Sequence, residues 1–180
     1  DWTASQKAAV QGLVDKVNAD CPEKTPDFYF IMSQAYHNMN KIATADRGQM
    51  NFTTTEEMYN VIVSMTKKLM ADVPFKDVIA TGTCLQNLRT SSLNNSMCLT
   101  RDGYHMDYGI SRYAAACMMF EKLISPSFDN VKLDGNAYRY NVSDTNDGSY
   151  TTPVTDANAP IALQAARYAL DTPYVVTDMK

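Results

Sequence analysis

The sequence predicts an α/β domain: a parallel sheet covered by helices. Three observations carry that expectation. Amphipathic helical stripes alternate with short β-branched and aromatic runs, and strands that alternate with helices pair in parallel. The 180 residues are 45% hydrophobic and 20% charged, a soluble, globular composition with enough chain for one core. No internal repeat is present.

The elements follow in order. Residues 4–20 form a helix, with Val10, Leu13, Val14 and Val17 at i, i+3, i+4, i+7 spacing. "CPEKTP" stops it, because proline removes a donor and disfavours helix. "DFYFIMS" at 27–33 has the length and side chains of a buried strand. Residues 34–53 are polar and mixed, and Tyr36, His37 and Asn38 stand just past the strand's carboxyl end. Thr54 with Glu57 makes a capping box for a second helix, whose stripe is Met58, Val61, Ile62, Met65 and Leu69. "DVIATGT" at 77–83 is a second strand ending at Gly82, and 84–101 reads as loop or a short helical turn. A third helix carries Ile110, Tyr113, Ala114, Cys117, Phe120 and Ile124 on one side, with Asp107 as its candidate N-cap. Residues 125–153 lack periodicity and read as a long loop or arm, and "DANAPIALQAARYALDTP" is a fourth helix closed by Pro173. The arm and last helix, 125–180, belong to the same domain as 1–124.

Only two convincing core strands are visible. A two-stranded parallel sheet has two open edges and too little buried surface to stand alone. The expected partner is therefore an upstream part of the same protein, or another chain, that supplies the missing strands. The opening "DWTASQ", without an initiating methionine, favours a longer parent.

Several functions are excluded. A net charge of −4 offers no basic stripe for nucleic acid or an anionic membrane. The longest apolar runs, such as "FYFIM", are far too short to span a bilayer. Cys21, Cys84, Cys98 and Cys117 have no zinc-like spacing, so no metal or cofactor is expected; a Cys84–Cys98 disulfide stays open on spacing alone.

The candidate chemistry lies in "LTRDGYHMDYGISRYAAACMMFEKL", residues 99–123, where Asp102 precedes His105, one of two histidines. An aspartate that fixes an imidazole tautomer suits proton transfer near neutrality. With "DVIATGTCLQNLRTS" before it, this stretch resembles the C-terminal half of SGNH (GDSL-type) hydrolases. The likeness is nearest to a bacterial subgroup, common among gut anaerobes, whose shared domain has no assigned function. "FYFIMSQAYHNM" resembles the fourth strand of that superfamily and the loop after it, and "PVTDANAPIALQAARYAL" resembles the subgroup's extra helix.

The resemblance implies a three-layer, flavodoxin-like fold in which Asp102 and His105 complete a Ser-His-Asp triad. It implies a serine esterase, acting on acylated carbohydrate, placed in the periplasm or at the cell surface. The superfamily's Gly-Asp-Ser block is missing before residue 28, so this chain alone is expected to be inactive. His37, Asn87 and Arg89 are candidates for substrate binding near the cleft. Ser33 lacks the context of a nucleophile, and Cys98 carries no sign of a lowered pKa. The rival reading is a non-catalytic binding module that keeps a hydrolase-like fold. The tyrosine-rich stretch 104–150 would then offer a docking or glycan surface.

Overall fold

A capping box opens the first helix: the Thr3 hydroxyl accepts from the Gln6 amide, and the Gln6 side chain accepts from the Thr3 amide. Together they satisfy backbone donors that a helix start leaves unpaired. Helix α1 runs Ala4–Asp20. The computed structural model describes residues 2–37, 52, 54–139 and 151–180. Asn38, most of the polar stretch after the first strand and the middle of the 125–153 arm lie outside the described residues.

Strand β1, Tyr29–Ile31, pairs in parallel with β2, Asp77–Ile79, in the register Tyr29↔Asp77, Phe30↔Val78, Ile31↔Ile79. The crossover between them contains α2, Thr55–Asp72, whose capping box is Thr54 with Glu57 as the sequence predicts. α1 is tied to the end of α2 through Asp72, which accepts from the Trp2 indole at 2.7 Å and from Lys7 at 3.1 Å. Among the described residues the sheet has these two strands, and β1 is an edge on which Ile31 is 52% exposed.

Two expectations are corrected downstream. The second strand stops at Ile79, and helix α3 occupies Thr81–Thr90, where the strand was expected to run to Thr83 and a loop or short helical turn to follow. Its polar residues misled the reading because internal partners satisfy them. Thr83 shares a hydrogen bond with the Tyr59 hydroxyl and donates to Pro173 O, and Asn87 is bonded on both sides. A polar residue with a fixed partner is buried at little cost, so polarity did not mean surface.

Helix α4 spans Ile110–Met119, and α5 spans Ala159–Asp171. α4 does not continue regularly to Ile124. It loosens into a π turn at Phe120–Ile124 and a 3-10 turn at Ser125–Ser127, where Pro126 cannot donate to a regular α-helix. α3, α4 and α5 pack on one another around Leu85, Leu88, Ile110, Met118, Ala162 and Ala166. The structure is thus compatible with an α/β fold built on a small parallel sheet.

All four cysteines are free, so Cys84 and Cys98 are not bridged. Cys84 and Cys117 are buried, and that burial pushes both thiols up, Cys117 to about 11. Among the described residues no helix is long and apolar enough to cross a membrane.

Candidate functional site: the Asp102–His105 loop

The loop is built from its base upward. Thr100 and Met106 form an antiparallel bridge, and the Arg101 amide donates to His105 O at 3.0 Å, closing a tight turn. Gly103, at φ +96°, supplies the left-handed residue that this turn needs. Within it, Asp102 Oδ1 accepts from the backbone amides of Tyr104 at 2.9 Å and His105 at 2.8 Å. That leaves Oδ2 to meet His105 Nδ1 at 2.6 Å. The sequence spacing of the pair thus becomes a direct contact.

Its electrostatics follow from the bonds. Partial burial works to raise the Asp102 carboxyl, but the amide and imidazole donors of His105 and the Tyr104 amide outweigh it. They hold the group at about 2. The imidazole is 62% exposed, with Nδ1 engaged by the carboxylate. Nε2 is the nitrogen left to exchange a proton.

Because folded Asp102 titrates below its ordinary value of 3.8, its contribution to stability is complete above that value and is lost as pH falls through about 2. A carbon-13 titration of Asp102 is expected to show a midpoint near 2. Asp102→Asn is expected to reduce the fall in stability between pH 4 and 2, read by chemical denaturation (the window set by the ordinary value of 3.8 and the folded value of about 2).

The loop sits beyond the carboxyl end of β1. The Gln34 side chain donates to Tyr104 O at 2.9 Å, and the His37 amide donates to Gly103 O at 2.8 Å. The rings of Tyr36 and Tyr104 meet edge to face at 5.2 Å. Thr55, in the first turn of α2, donates through its hydroxyl to Tyr36 O and His37 O. Open α/β sheets place ligands at this rim, outside the carboxyl ends of their strands.

A second anchor lies behind it. Cys98 and Leu99 both have positive φ, +46° and +60°, a conformation that costs on the order of 1 kcal/mol or more per residue and persists only when its surroundings enforce it. Arg89 Nε donates to Cys98 O at 3.0 Å, and the Ser111 hydroxyl donates to Leu99 O at 2.6 Å. The Asn95 side chain accepts from the amides of Met97 and Leu99. Asp107, fully buried, accepts on Oδ1 from the amides of Gly109 at 3.0 Å and Ser111 at 3.1 Å. Burial pushes its carboxyl up against those same amide bonds. The N-cap position itself is Gly109, so Asp107 serves the start of α4 from two residues upstream.

The other sequence candidates separate. His37 reaches the rim, tied by its backbone to the Asp102 loop. Asn87 does not: it is fully buried, and its amide donates to Ala165 O and accepts from the Thr177 amide. It braces α3 to α5 and the C-terminal tail. Arg89 is half-buried and committed to internal partners, donating to Cys98 O, to Gln86 at 2.8 Å and to Ala35 O at 3.0 Å, and burial lowers its guanidinium to about 10. Its bonds join the exit of β1 to the strained segment that leads into Asp102. Arg89→Met leaves two backbone carbonyls without their donor, and a loss of about 2–4 kcal/mol is expected, read as the shift in urea midpoint. Ser33 is exposed and lies at the end of β1.

Sequence reasoning did not single out Gln34 or the stacked cations on Tyr108. The Tyr108 ring centre lies 4.6 Å from the Arg101 guanidinium and 4.3 Å from that of Arg112. The four-residue spacing of Tyr108 and Arg112 was the available signal.

The comparisons with known proteins agree on a family. A family model described as a domain of unknown function, DUF4886, matches residues 4–153. A crystal structure of a DUF4886 family protein from Bacteroides uniformis ATCC 8492 superposes with a TM-score of 0.72 at 27% sequence identity. The match covers 97% of this chain and 60% of that one, so the chain spans less than two thirds of that relative's length. No curated protein matches. The chain belongs to the DUF4886 family.

Proposed function

We propose that this DUF4886 family member contributes the acid–base half of a serine esterase of SGNH type. In this reading, His105 Nε2 takes the proton of a serine hydroxyl as it attacks an ester carbonyl, then returns it to the leaving alkoxide. Asp102 holds the tautomer and stabilises the imidazolium. The observation that carries the reading is the 2.6 Å contact between Asp102 Oδ2 and His105 Nδ1 on a loop held at the strand rim. An acylated carbohydrate as the ester, and a periplasmic or cell-surface location, rest on the sequence resemblance alone.

The serine, in this proposal, lies outside these 180 residues, on strands that pair with the outer edge of β1. Two features support that docking place. Ile31 is 52% exposed on that strand, and beside it a cavity of about 260 Å³ is lined by Trp2, Phe30, Val61, Ile62 and Met65. The test is fluorophosphonate labelling of the longer protein, followed by peptide mapping. A modified serine in a Gly-Asp-Ser context upstream of residue 1 supports the proposal. Absence of labelling, or a modified serine within the present chain, overturns it. The 180 residues alone are expected to hydrolyse p-nitrophenyl acetate no faster than buffer.

A further inference from the structure

Past His105 the chain enters α4, and one side of that helix faces residues 133–138 across an open groove of about 450 Å³. That volume lies within the range of small-molecule sites, roughly 300–1,000 Å³. The walls are mostly carbon: Tyr113, Ala116, Phe120, Leu133 and Tyr138. The one side-chain amide that lines it among the described residues, Asn136, is committed, donating to the Tyr113 hydroxyl at 3.4 Å and accepting from the Tyr138 amide at 3.1 Å. Such walls suit a flat aromatic ring better than a sugar, which needs many polar partners.

One end of the groove is charged. Arg112 lines it with its guanidinium 4.3 Å from the Tyr108 ring centre. The second cation on that ring, Arg101, has Asp102 at 4.0 Å, whereas no carboxylate pairs with Arg112 among the described residues. Stacking on Tyr108 limits how the guanidinium is presented, and a guanidinium binds a carboxylate through two parallel hydrogen bonds.

We propose that this groove binds an aryl carboxylate, with its ring between Tyr113, Phe120 and Tyr138 and its carboxylate on Arg112. The site goes beyond the esterase reading and does not depend on it. The probe is 3-phenylpropionate, and its uncharged counterpart is 3-phenylpropanol. Binding to the intact chain is followed by NMR of the alanine and leucine methyl groups. The acid is expected to shift Ala116 and Leu133 and to bind about tenfold more tightly than the alcohol, the step one charge-assisted pair supplies. Arg112→Gln, at an exposed helix position, is expected to remove that tenfold difference. Ala116→Phe, which fills the groove from an equally exposed helix position, is expected to abolish binding of both compounds. The proposal is overturned if the acid leaves these methyls unmoved at millimolar concentration. Equal affinity for acid and alcohol, or an Arg112→Gln variant that keeps the preference, also overturns it.

Discussion

His105→Ala, made in a longer protein that carries the proposed serine, is expected under the esterase proposal to lower ester turnover by about 10⁴-fold or more, the scale on which loss of a triad base acts. The drop should fall on kcat with KM little changed, because the role proposed for the imidazole lies in the transition state rather than in holding substrate. Asp102→Asn should cost less, since the role proposed for Asp102 is to orient the ring and stabilise its charge. His105 is 62% exposed, so its removal should leave thermal unfolding almost unmoved. Unimpaired turnover in a folded His105→Ala protein would remove the residue from the mechanism. A parallel fall in turnover and melting temperature would make its role structural.

Gly109→Ala carries the second large effect, and it acts on the fold. A Cβ at this position would stand 1.8 Å from Thr152 O and 2.7 Å from Thr152 C, both backbone atoms that no rotamer change can move. The same carbonyl accepts from the Ile110 amide at 2.9 Å. The substitution must therefore push residues 151–153 off the start of α4, and the Asp107 bonds to Gly109 and Ser111 are strained with them. A loss of about 3 kcal/mol or more is expected, near the upper end for overpacking. For a domain of this size that corresponds to a fall in melting temperature of roughly 6–12 °C by calorimetry. A change below about 2 °C would show that the segment yields freely.

What could be read from the sequence was what depends on local chemistry. Thr54 and Glu57 announce their helix because a capping box is complete within four residues. Parallel pairing of β1 and β2 follows from the helix between them. Asp102 and His105 meet because a short turn brings them together without help from distant residues. Positions decided by distant partners were not legible. Asn87 reads as a loop residue until Ala165 and Thr177, far along the chain, supply its bonds. Arg89 reads as a cleft cation until Ala35 and Cys98 close around it. On α1 the reverse holds: the helix forms over the residues expected, yet of its stripe only Val14 is buried, and Leu13 is 69% exposed. Periodicity defines an apolar face and does not say what covers it.

The sulfur positions offer a clock for the core. Cys84 on α3 and Cys117 on α4 are 1% and 3% exposed, while Cys21 is open to solvent. An alkylating reagent needs a thiolate it can reach, so the two shielded groups react only when the helices around them part. The delay between the first adduct and the last, counted by mass, then times how often that interior breathes.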